Sequence, residues 1–93
     1  MSRVAKREQS TAWDLRSAWG TGRDVRLTLT KRCMVATVVG RVSYVSVTGA
    51  FAVVDGWHVP CADVRGIGRP TIEDRERYQR CVLELREAEA VAC

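Results

Sequence analysis

The stretch AFAVVDGWHVP, residues 50 to 60, constrains the fold more than any other part of the chain. Asp55-Gly56 joins two short apolar runs, and both central residues of a type I′ turn need positive φ, which Asp and Gly tolerate best. The pair predicts a two-residue hairpin between a strand over 50–54 and a short strand over 57–59. Pro60 ends that second strand because it has no N–H to offer a ladder. Pro60 to Asp63 then suit one short helical turn before a last strand over Val64 to Ile67.

Upstream, the apolar period is also two. In DVRLTLTK, Val25, Leu27 and Leu29 alternate with Arg26, Thr28 and Thr30, the pattern of a half-buried strand, which Lys31 and Arg32 close as a basic turn. The next segment, MVATVVGRVSYVSVTG, is β-branched and extended, but its alternation slips. Val38, Gly40 and Val42 share one parity, whereas Val45 and Val47 share the other. A bulge or sharp bend absorbs such a slip, and Gly40, lacking a Cβ, is the expected place for the bend and for a close crossing by a neighbouring side chain. Five strands result, and a long bent second strand of this kind serves both halves of a small closed barrel.

Two helices flank the strands. In STAWDLRSAWG, Thr11 is the expected N-cap, Asp14 suits the positive helix start and Gly20 the left-handed stop. Ala12, Leu15, Ala18 and Trp19 fall on one side and predict a short helix over 11–19 that covers an open barrel end. Trp13 lies off that face, either as a partly buried anchor or as an exposed contact residue. Near the C-terminus, Thr71 caps a second helix over 71–91, with Glu73 and Asp74 in its first turn and Glu73–Arg77 and Glu76–Arg80 as i, i+4 pairs. Its apolar stripe is Tyr78, Cys81, Val82, Leu85, Ala88 and Ala92.

A chain of 93 residues builds one hydrophobic core, so 1–93 is read as a single α+β domain with a flexible basic stretch over 1–9. The longest apolar run, Ala50 to Val54, is too short to span a bilayer, and no apolar segment follows the first residues as a secretory signal would require. No membrane association and a cytoplasmic address are expected, with reduced thiols. The four cysteines, Cys33, Cys61, Cys81 and Cys93, match neither a zinc nor a redox spacing. Charge is uneven: residues 1–32 carry +5, residues 33–70 carry +1 and residues 71–93 carry −2. The basic front allows a polyanionic partner.

The order short helix, five strands with a bent second strand, Asp-Gly hairpin, single turn and final strand resembles a small Sm-like or SH3-like five-stranded antiparallel barrel. Within that group, GRDVRLTLT, GRVSYVSV and VVDGWHVPCADVRGI are similar to the strand pattern of the YolD-like family of small bacterial and phage proteins. The likeness covers Gly22 to Pro70, about half the chain. It implies a non-enzymatic accessory role of the kind linked to DNA-damage-response operons. The basic N-terminal helix and the C-terminal amphipathic helix depart from that pattern, so the family's partner does not carry over.

Catalytic and metal chemistry is tested and set aside. His58, Cys61 and Cys33 leave a zinc site one ligand short, and a Cys/His dyad lacks an orienting group and an oxyanion donor. GTGRDV follows a helix and precedes a strand, the wrong order for a dinucleotide loop. No enzyme activity and no cofactor are expected. Two readings stay open. In one, the chain is an accessory or regulatory module that binds a protein partner through Trp13, Trp57, His58, Val82, Leu85, Ala88 and Ala92. In the other, it binds single-stranded DNA or RNA, with Arg3, Lys6, Arg7, Arg23, Lys31, Arg32 and Arg41 on phosphates and Tyr44 or Trp57 stacked on a base. Free strand edges or the helix stripe also allow a homo-oligomer.

Overall fold

The Asp-Gly hairpin forms as the sequence predicts. In the computed structural model, which describes residues 6–33 and 35–85, Asp55 and Gly56 adopt φ of 50° and 81° between β3 (Phe51–Val54) and β4 (Trp57–Pro60). A 3-10 turn, Cys61–Asp63, leads from Pro60 into β5 (Val64–Gly68). Ahead of the hairpin lie α1 (Lys6–Thr21), β1 (Asp24–Leu29) and β2 (Thr37–Val45), and α2 (Ile72–Leu85) follows β5. Val25, Leu27 and Leu29 are buried, as their alternation requires.

The five strands make one antiparallel sheet in the order β4-β3-β2-β1-β5. The expected closure does not occur: β4 and β5 are the two edges of an open sheet. They are nevertheless joined by only three residues, so the sheet must curl until its edges approach at that corner. Asp63 holds the corner together. Its carboxylate accepts a hydrogen bond from Thr30 Oγ1 at 3.0 Å and pairs with Arg32 Nε at 2.9 Å, while its carbonyl accepts from the Thr30 N–H at 2.9 Å.

The phase slip in β2 is real, but it sits three residues beyond the expected position. β2 pairs with β1 from Thr37 to Arg41 and with β3 from Val42 onward, and Ser43 is the extra residue between the pairs Val42–Val54 and Tyr44–Val53. Its hydroxyl donates to the Val53 carbonyl at 3.3 Å, within the bulge. Gly40 serves the other purpose expected of it. A Cβ built there would lie 2.7 Å from Asp55 Cβ, so only a glycine lets the hairpin turn cross β2 so closely.

α1 begins at least five residues before Thr11, which is buried inside the helix instead of capping it. The upstream Lys6, Arg7, Glu8 and Gln9 are straight-chain residues that carry a helix well. Gly22, at φ 70°, takes the stop expected of Gly20. Ala12, Leu15 and Ala18 are fully buried where α1 lies against β2, β3, β5 and the 3-10 turn. Arg16 Nη2 fastens the helix further by donating to the carbonyls of Ser46 at 2.7 Å and Val47 at 3.0 Å. Trp19, one step round from Ala18, falls on the flank and stays 43% exposed, which corrects its assignment to the buried face.

α2 starts at a capping box. Thr71 Oγ1 accepts from the Asp74 N–H at 3.1 Å, and the Asp74 carboxylate accepts from the Thr71 N–H at 2.9 Å. Arg75–Asp24 at 2.8 Å and Arg26–Asp74 at 3.4 Å tie this helix to β1. Deeper in, Tyr78 is buried, accepting a hydrogen bond from Trp57 Nε1 at 2.6 Å and donating to Asp55 Oδ2 at 2.5 Å. Cys33 is disulfide-bonded, whereas Cys61 and Cys81 are not in disulfides, so the expectation of reduced thiols throughout is corrected at Cys33. No described helix is long and apolar enough to cross a membrane.

Candidate functional site

The β2 bulge decides what the outer surface presents. With Ser43 inserted, both Ser43 and Tyr44 face solvent, and Tyr44 joins the same exposed side as Arg41. Across the sheet, Tyr44 pairs with Val53, which pairs with His58, and Phe51 stands two residues from Val53 on the same face. The rings therefore meet. Trp19 and Tyr44 make an edge-to-face contact at 5.8 Å, Tyr44 and Phe51 a tilted one at 5.8 Å, and Phe51 and His58 stack at 4.2 Å. Four rings from α1, β2, β3 and β4 form one continuous row, with Trp19, Tyr44 and His58 exposed and Phe51 half-buried.

A basic cleft adjoins the Trp19–Tyr44 end. Gly22 lies one helical turn beyond Trp19, about 5 Å along the axis. Arg41 lies three strand residues before Tyr44, about 10 Å away. Between these segments opens a concavity of about 440 Å³ lined by Gly22, Arg23, Asp24, Arg41, Arg69, Pro70 and Arg75. Asp24 is the one acidic residue of this lining and is paired with Arg75. Arg23, Arg41 and Arg69 are exposed and have no ion-pair partner among the described residues. A larger concavity of about 560 Å³ between α2 and β2 shares Asp24, Arg41 and Arg75 and reaches Asp55 and Tyr78.

The sequence candidates scatter across these places. Arg23 and Arg41 come together at the cleft, and Tyr44 joins the ring row. Lys31 and Arg32 sit past the other end of β1, roughly 20 Å from Arg23, and Arg32 is held by the buried Asp63, so it belongs to the fold and not to the cleft. Trp57 is 1% exposed with its indole N–H on Tyr78, which removes it both as a protein contact and as a stacking platform. Val82 packs against the core and is half-buried. Trp13, by contrast, is 72% exposed, not an anchor. Arg3, Ala88 and Ala92, with the side chains of Lys6, Arg7 and Leu85, lie outside the described residues.

Sequence reading missed Phe51, Trp19, Arg69 and Arg75 as surface partners. Phe51 carried a signal, since its two-residue offset from Val53 puts it on the outer face diagonal to His58. The contact between Trp19 and Tyr44 carried none, because it depends on how α1 docks. Among the described residues, no group of three His, Cys, Asp or Glu side chains is placed to hold a metal ion. No family model, curated protein or solved structure matches this chain.

Proposed function

We propose that this chain is a non-enzymatic accessory module that binds single-stranded DNA or RNA on the outer face of its sheet. The observation that carries this reading is the four-ring row, Trp19, Tyr44, Phe51 and His58, ending beside a cleft lined by three exposed arginines that have no ion-pair partner among the described residues. Every base has a π face, so exposed rings stack bases with little regard to sequence, while arginines along the same path meet phosphates. Both contributions lie on one surface.

The finer architecture belongs to the same proposal. The strand order β4-β3-β2-β1-β5, the bent β2 and the 3-10 turn between β4 and β5 support an Sm-like or SH3-like kinship. A YolD-like origin, in a bacterium or a phage, rests on the strand motifs quoted above, and a cytoplasmic setting goes with it. A second reading, a protein partner, is favoured by Trp13 at 72% and Leu83 at 78% exposure, both apolar and neither part of the ring row. That partner would reach α1 and α2 and leave the sheet face free.

Fluorescence anisotropy with a labelled single-stranded oligonucleotide tests the first reading. Binding is expected at low salt, with log K falling linearly as log salt rises and a weaker response to a duplex of the same sequence. Absence of binding at low salt, or an affinity indifferent to salt, overturns it.

A further inference from the structure

We infer that the arginine cleft is a discrete site for the terminal phosphate of a single strand, so that the protein recognises a strand end and not only its interior. This inference rests on the single-strand reading above and adds a ligand group to it. Two observations point to an end. The ring row runs from His58 on β4 to Trp19 on α1 and stops there, and the chain turns at Gly22 into the cleft directly beyond. A strand whose last base stacks on Trp19 would therefore present its end phosphate beside the cleft.

Charge makes the same point. An internal phosphodiester carries one negative charge, whereas a terminal phosphomonoester carries about −1.5 to −2 at neutral pH and three free oxygens. Arg23, Arg41 and Arg69 converge on one concavity, and the carboxylate of Asp24 there is already neutralised by Arg75 at 2.8 Å. Three guanidiniums with no ion-pair partner among the described residues suit the larger charge and the extra free oxygen of a terminal phosphate better than those of a phosphodiester. The three come from different segments: the α1–β1 link, β2 and the β5–α2 link. Their convergence is thus a product of the fold and not of a local basic run.

The test compares three otherwise identical single strands, one with a 5′-phosphate, one with a 3′-phosphate and one with neither, by isothermal titration calorimetry at about 0.1 M ionic strength, where screening is moderate. One phosphorylated end is expected to bind about tenfold more tightly than the bare strand, the scale of a single charge-assisted contact. Arg69→Gln and Arg23→Gln, both exposed surface changes, are expected to abolish that gain, so that each variant binds the phosphorylated and the bare strand equally, whatever it loses in affinity for both. Equal affinity for all three strands overturns the terminal-phosphate site and leaves the single-strand reading standing. A gain that survives both substitutions overturns the assignment to this cleft. No binding of any strand removes the single-strand reading and this inference with it.

Discussion

Trp57 and Tyr78 are joined by a hydrogen bond of 2.6 Å from the indole Nε1 to the phenolic oxygen, and the same hydroxyl reaches Asp55 in the hairpin turn. One side chain of α2 thereby satisfies the buried indole donor and locks the turn from which that indole hangs. Tyr78→Phe keeps the ring and removes only the hydroxyl. Because Trp57 Nε1 is then buried without an acceptor, the cost is expected to be about 1–3 kcal/mol. Urea unfolding measures it, and hydrogen exchange is expected to show α2 opening ahead of the sheet; an unchanged midpoint would mean that the hydroxyl contributes nothing.

Gly40→Ala tests the crossing of β2 under the hairpin. The added methyl meets Asp55 Cβ at 2.7 Å and Cγ at 3.2 Å, atoms too close to the backbone to swing aside. Overpacking of this kind costs about 1–3 kcal/mol. A variant as stable as the wild type in the same urea titration would show that the turn gives way freely.

The Arg32–Asp63 pair joins an exposed cation to a buried carboxylate, with side-chain exposures of 72% and 6%. Its two ends are therefore unequal. Arg32→Ala breaks a pair at the solvent edge and is expected to cost less than about 1 kcal/mol. Asp63→Ala also removes the acceptor of Thr30 Oγ1 at the corner where the sheet curls, with an expected cost of about 1–3 kcal/mol. Thermal unfolding of the two variants side by side checks the order, and a costlier Arg32 change would reverse this assignment.

Asp74 links the fold to pH. The hydrogen bond from the Thr71 backbone N–H, aided by the Thr71 hydroxyl and by Arg26, outweighs the opposing effect of burial and holds its carboxyl pKa below the ordinary 3.8. A carboxyl depressed in the folded state stabilises it fully above the ordinary value, and that contribution disappears as pH falls through the lowered one. Acid unfolding below about pH 4 is thus expected to be steeper for the wild type than for Asp74→Asn. Superimposable pH profiles would show that the capping box carries no such linkage.

Much of the fold was legible because it follows from local rules. Asp55-Gly56 demanded its turn, Val25, Leu27 and Leu29 demanded a strand with one buried face, and Thr71 with Asp74 demanded a helix start. Even the slip in β2 showed as a change of parity, although the bulge settled at Ser43 and the close crossing stayed at Gly40. What escaped depends on pairs distant in sequence. Trp57 reads equally as a contact residue or as core until Tyr78, 21 residues away, supplies its acceptor. The ring row needs α1 docked on β2, and the cleft needs two links and a strand brought to one corner. Closure also misled, since a curled sheet and a closed barrel share one strand order.

The affinity of Tyr44→Ala for a single-stranded oligothymidine, measured by anisotropy beside the wild type, tests the binding face most directly. Tyr44 is exposed, touches both Trp19 and Phe51, and has no part in the core, so its loss leaves the fold intact. Stacking contributes about 1–3 kcal/mol per base, so binding is expected to weaken roughly tenfold or more at constant salt. A folded Tyr44→Ala protein that binds as tightly as the wild type would contradict the ring row as the nucleic-acid surface.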